Sequence, residues 1–223
     1  MYLSRIQIDS KNRQKIRSLS HLGAYHDWVE QSFPQELTSG IRKRHLWRLD
    51  PLNGHQYLIL LSEDKPDAKL LMRYGIEETV ESRDYDPLLT RLKNGQILRF
   101  RITANPTHVV PQEGTARGKV FPHVTISQQR QWLVKMAEKS GFEILKREEA
   151  IQTENDDQLL FDVVKRDRPV LMRKGGRSVH LSRVTFEGIL TVTDVLKFKA
   201  MLTHGLGREK AYGMGLMTVI PEG

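Results

Sequence analysis

The chain has 223 residues, 39% of them apolar and 7% aromatic, with 35 Lys and Arg against 27 Asp and Glu, a formal charge of +8. That length suits one large domain or two of about 100 residues, and the positive balance favours polyanionic partners, nucleic acid first among them. The absence of cysteine excludes disulfides, thiolate metal centres, iron–sulfur clusters and cysteine nucleophiles. No apolar run approaches the roughly 20 residues that span a bilayer, and Met1-Tyr2-Leu3-Ser4-Arg5 has no signal-peptide core. No membrane partner and a cytoplasmic location are expected.

In chain order, Ile6 and Ile8 alternate with Arg5, Gln7 and Asp9, the pattern of a strand. Residues 11–33 read as helix, because Ile16, Leu19, Leu22, Tyr25, His26, Val29 and Phe33 recur at spacings of three and four. Gly23 can divide that helix, and Pro34 ends it. Strands at 45–49 and 57–61 flank the turn residues Asp50 to Gly54. A short helix at 66–72 leads to a charged stretch through Asp86, and 95–104 is a strand with Arg99 and Arg101 on one face. Asn105-Pro106 then breaks the pattern, which places the domain boundary between residues 105 and 106.

The second half reads as a helix at 127–139, strands at 142–145, 159–164, 179–181 and 183–192, a helix at 194–202 capped by Asp194, and a strand at 216–220. Both halves approximate strand–helix–strand–strand–helix–strand. The expected class is therefore α+β, with two tandem ferredoxin-like, RRM-like βαββαβ domains at 1–105 and 106–223.

Three features bear on chemistry. Residues 205–215 hold Gly205, Gly207, Gly213 and Gly215 around Arg208 and Lys210. Such a loop can bring backbone amides and cations to an anion, or can simply cap a helix and turn into the last strand. It matches neither nucleotide-binding glycine motif. Lys165, Arg166, Arg168, Arg173, Lys174, Arg177 and Arg183 face a single acid, Asp167, with Gly175-Gly176 at the centre. That reads as a basic hairpin suited to phosphates, or as a solvated loop. Histidine is the available acid–base group. His21 and His26 stand about 140° apart on a helix and are poor joint metal ligands. On helix geometry His26 falls within the apolar stripe, as a buried core histidine would, whereas a break at Gly23 would open it to a cleft.

Several blocks resemble the CasE family, the CRISPR repeat-RNA endoribonucleases of type I-E systems. They are Met1-Tyr2-Leu3-Ser4-Arg5-Ile6, then Phe100-Arg101-Ile102-Thr103-Ala104-Asn105-Pro106, then Phe186-Glu187-Gly188-Ile189-Leu190, and the glycine-rich run from Gly205 to Leu216. They occur in family order along the whole chain. The resemblance implies a metal-independent RNase without cofactor. It gives the catalytic role to His26, which precedes Phe33-Pro34, with His21 as the competitor. Gly23 stands where some members carry a tyrosine, and Tyr25, adjacent to His26, is the candidate supporting residue in its place. Lys210 is the candidate for stabilising the phosphate.

The expected reaction is attack by the RNA 2′-hydroxyl at repeat stem-loops, giving 2′,3′-cyclic phosphate and 5′-hydroxyl ends, with the product hairpin retained. Arg99, Arg101, the basic hairpin residues, Gly205, Gly207, Arg208, Gly213 and Gly215 are the expected RNA contacts. The implied partners are precursor and mature guide RNA and the other Cascade subunits. Two alternatives stand beside this reading, a non-catalytic RNA-hairpin-binding subunit and a structural subunit whose basic surface docks other chains.

Overall fold

The structure, a computed structural model, describes residues 1–114, 118–147, 158–172 and 178–222. It divides into two compact units, residues 1–91 with 209–216, and 92–208 with 217–223.

The first unit runs β1 (Tyr2–Gln7), α1 (Arg13–Ser18), α2 (Leu22–Gln31), α3 (Pro34–Ser39), β2 (Leu46–Leu52), β3 (His55–Ser62), α4 (Ala68–Leu71), β4 (Glu81–Asp84) and α5 (Asp86–Arg91). Its antiparallel sheet has the order β2–β3–β1–β4, the ferredoxin-like arrangement. The second crossover helix is reduced to α4 and a 3-10 turn at Met72–Tyr74. Leu58 and Leu60 on one face of β3, and Ile59 and Leu61 on the other, are all buried. The latter two join Leu46, Tyr85 and Leu216 in one apolar cluster. A sheet covered on both sides is why β3 reads as a continuous apolar run rather than an alternating one.

The helix expected at 11–33, divisible at Gly23, is two helices, α1 and α2. The break falls at Leu19 to His21, one turn before Gly23, because Asn12 caps α1 and His21 caps α2. Pro34 begins α3 rather than ending a helix, since proline's missing N–H costs nothing at the first helical position. The charged stretch through Asp86 contains a strand that the sequence reading passed over. β4 is a polar edge strand tied to β1 by Ser4–Ser82 and Arg5–Glu81 side-chain contacts at 2.7 Å each.

The second unit runs β5 (Ile97–Ala104), β6 (Thr107–Val110), β7 (Lys119–Pro122), α6 (Ile126–Lys139), β8 (Phe142–Ile144), β9 (Phe161–Asp167), β10 (Val170–Met172), β11 (Ser178–His180), β12 (Arg183–Val192), α7 (Val195–His204) and β13 (Met217–Pro221). The sheet order is β13–β5–β12–β8, and β9 shares the β8 side of β12. This is the same ferredoxin-like order. The chain is α+β with two such domains in tandem.

The division expected between 105 and 106 falls elsewhere. β5 pairs with β12 over eight residues and with β13 over five, so it is the first strand of the second sheet, not the last of the first. Asn105-Pro106 ends β5 and leads into the β6–β7 hairpin instead of a linker. The chain also returns to the first unit at 209–216.

Candidate functional site

α2 begins at His21, whose Nδ1 accepts the backbone N–H of Ala24 at 3.2 Å. A Cβ on Gly23 would lie 3.0 Å from that nitrogen, so glycine leaves room for the cap. This employs His21 structurally. One turn later His26 is half-buried, with its Nδ1 4.0 Å from Glu30 Oε1 on the same helix face. Its ring lies 5.9 Å from that of Tyr212, tilted by 59°.

Tyr212 closes a 3-10 turn, Lys210–Tyr212, in the glycine-rich segment. β2 fixes that segment. Trp47 Nε1 donates to Ala211 O at 3.1 Å. Arg48 Nη1 donates to Leu216 O at 2.8 Å while its Nε and Nη2 grip Asp50 at 2.7 and 2.6 Å. Gly213 has φ +77°, and a Cβ there would stand 2.6 Å from the Trp47 ring. Its freedom therefore serves close packing. Gly207 does the same against Trp132 in the second unit, where a Cβ would come within 3.2 Å. Gly205 ends α7 and Gly215 also has positive φ. Arg208 is exposed.

The Lys210 amine is half-buried, and it makes no ion pair among the described residues. Burial first, then the charge of Arg44, holds its pKa below the usual lysine value. Two cations near each other, neither in an ion pair among the described residues, form a place where an anion is welcome. The Tyr25 ring is stacked on that of Trp47 at 5.9 Å and lies 6.4 Å from that of Trp28. The aromatic ring beside His26 is that of Tyr212.

Behind His26 lies an acid network. Glu30 Oε1 meets His45 Nδ1 at 2.8 Å, Glu30 Oε2 accepts from Arg42 at 3.3 Å, and His45 Nε2 meets Glu36 Oε1 at 3.1 Å. Burial pushes the Glu30 carboxyl up. The hydrogen bond and charge of His45, with His26 and Arg42, outweigh it and hold the group below the ordinary carboxylate value. Sequence reading missed Glu30, His45, Arg44 and Tyr212. Only Glu30 left a readable signal, its i,i+4 spacing from His26.

The arginines of the open sheet face are paired. Arg99 forks onto Glu222 at 2.8 and 2.9 Å, which raises its pKa, and Arg101 bonds Glu187. They line a hollow of about 440 Å³ with Asp162 and Glu187. In the basic segment, Arg183 forks onto Asp167, Arg166 donates to Val124 O at 2.6 Å, and Lys165 and Arg168 are exposed. β10 and β11 form the expected hairpin, while Arg173, Lys174 and Arg177 lie outside the described residues. Among the described residues, no group of three or more His, Asp or Glu could hold a metal ion, and no helix is long and apolar enough to cross a membrane.

Comparison with known proteins adds a family. The family described as CRISPR associated protein matches residues 1–221. The CRISPR-associated endoribonuclease Cse3 of Thermus thermophilus is 30% identical over 225 residues, covering 99% of this chain and all of the relative. The CRISPR system Cascade subunit CasE of Escherichia coli K12 is 24% identical over 196 residues, 78% of this chain and 94% of that one. The solved structure of Cse3 bound to a 19-nucleotide RNA superposes with a TM-score of 0.81 at 28% identity, covering 99% and 100% of the two chains.

Proposed function

We infer the function from one premise: this chain belongs to the CRISPR-associated protein family whose pattern spans residues 1–221. It is an endoribonuclease that binds CRISPR precursor RNA and cuts it at repeat stem-loops. His26 is its acid–base group, and the carrying observation is that ring's placement, half-exposed between Glu30 and the turn that bears Lys210 and Tyr212.

The reaction needs no external nucleophile. The ribose 2′-oxygen attacks the adjacent phosphorus, its proton passing to a base, and the new P–O2′ bond closes a 2′,3′-cyclic phosphate. The P–O5′ bond breaks, and the leaving oxygen takes a proton to become a 5′-hydroxyl. His26 exchanges one of these protons, a contribution of roughly 10²–10⁴ in rate. Lys210, with Arg44 near it, stabilises the charge that grows on the phosphorane oxygens. A lysine whose charge is disfavoured in the free protein gains most when an anion arrives.

Stem recognition falls to Lys165, Arg166, Arg168 and the rest of the basic hairpin, through backbone shape rather than base edges. The chain keeps its product hairpin and assembles with the other Cascade subunits, as the name of its Escherichia coli relative supports. It acts in the cytoplasm, beside its RNA substrate and the other Cascade subunits.

An end-labelled repeat hairpin incubated with EDTA tests this. Wild type is expected to leave a cyclic phosphate, and His26→Ala to lose cleavage by roughly 10²–10⁴ while keeping hairpin affinity. Equal cleavage by the variant removes His26 from the mechanism. Tight binding without cleavage by either protein makes the chain a hairpin-holding subunit.

A further inference from the structure

Neighbouring i,i+4 charges on a helix are usually mobile and weak. The pair His26–Glu30 differs because the carboxylate is held from behind. His45 has a side chain only 1% exposed, clamped by Glu30 at Nδ1 and by Glu36 at Nε2. Its ring is stacked on Phe33 at 3.9 Å with 10° between planes. Glu36, itself buried, is anchored at its other oxygen by the backbone N–H of Lys43 at 3.0 Å. Arg42 takes the second oxygen of Glu30. The chain Glu36–His45–Glu30–His26 thus runs from the interior to the half-exposed ring. His26 Nε2 makes no hydrogen bond to any described residue.

We propose that Glu30 is the positioning residue of this site: fixed by His45 and Arg42, it holds the Nδ1–H edge of His26 and leaves Nε2 as the nitrogen that exchanges a proton with RNA. The inference rests on the reading of His26 as the acid–base group. The groups facing Glu30 are His26 from its own helix, Arg42 from the loop before β2, and His45 at the head of that strand. Those facing His26 are Glu30 and the Tyr212 ring. The 4.0 Å separation shortens to a hydrogen bond once RNA excludes water, as free-enzyme contacts commonly do. The logic is that of any carboxylate behind a catalytic imidazole. It selects the tautomer and favours the protonated ring that forms during turnover.

The test is single-turnover cleavage of the repeat hairpin from pH 5 to 9, with hairpin affinity measured alongside. Glu30→Gln is expected to slow cleavage roughly 10–100-fold and to move the histidine-dependent limb to lower pH, with affinity unchanged. Glu30→Asp is expected to retain the wild-type limb. Loss of cleavage in His26→Ala together with an unmoved limb in Glu30→Gln overturns this inference alone. Wild-type cleavage by His26→Ala overturns it together with the reading beneath it. Should Glu30→Gln not fold, the ¹⁵N shifts of His26 in wild type decide. An Nδ1–H tautomer is the expected result, and an Nε2–H tautomer overturns the proposal.

Discussion

The two ferredoxin-like units share a strand order and use the same helix differently. In the first, α2 lies within the opening crossover from β1 to β2 and carries His26 and Glu30 on one face. In the second, α6 holds the equivalent place and buries Trp132, Leu133 and Ala137, while Gln129 spends its amide on the backbone of His123. The charges differ too. Arg99 and Arg101 in the second unit are neutralised by Glu222 and Glu187. Lys210 and Arg44 in the first make no ion pair among the described residues. A fold of this kind supplies a scaffold, and a site is grafted on it by a few side chains. What marks the candidate site is two cations with no ion pair among the described residues beside an acid clamped from behind, not a local count of arginines.

The comparison breaks most visibly at Gly213. Its φ of +77° favours glycine, and any Cβ meets the ring of a Trp47 that is buried. Gly213→Val is therefore expected to displace the 209–216 segment, moving Lys210 and Tyr212 from His26. Cleavage should fall at least tenfold, and the strain of a β-branched residue at positive φ should cost about 1–2 kcal/mol of stability. Thermal melting with a cleavage assay reads both. A variant that cuts like wild type would show that the loop's placement on β2 is irrelevant to chemistry.

A second contrast separates paired from unpaired arginines. Removing Lys165 and Arg168 together is expected to weaken hairpin binding and to flatten the log–log salt dependence by about 0.7–0.9 for each lost phosphate contact. Arg99→Ala should leave both affinity and slope as they were, because its charge is already answered by Glu222. Salt titrations of hairpin binding compare the three proteins. Equal slope changes would return Arg99 to the RNA surface.

Most of the strands and the crossover helices were legible, because their apolar spacing carries its own period. Asp194 likewise announced a helix start. The hidden parts obey longer-range rules. β4 is short and polar because an edge strand needs no apolar run, so no local pattern betrays it. β5 is indistinguishable by sequence from a last strand of the first domain; only its pairing with β12 and β13 assigns it. His26 became the candidate through its family block, whereas helical periodicity placed it in the apolar stripe. Tyr212 lies 186 positions from His26 and His45 lies 15 from Glu30. Neither distance falls within any helical or strand repeat, so the site's partners become visible only when the chain is folded.

The smallest effect tests whether α6 is scaffold alone. Thr125 Oγ1 accepts the N–H of Gln128 at 3.2 Å, and Gln128 Oε1 returns to the N–H of Thr125 at 3.2 Å, a reciprocal cap. Thr125→Ala removes one half of that exchange and should cost about 1 kcal/mol, lowering the melting temperature by roughly 2–4 °C in a chain of this size. The single-turnover cleavage rate and the hairpin affinity should not change, since nothing in the cap touches His26, Glu30 or the loop that carries Lys210. If cleavage dropped while the melting shift stayed within that range, α6 would be acting on the chemistry. The division of labour between the two units would then have to be redrawn.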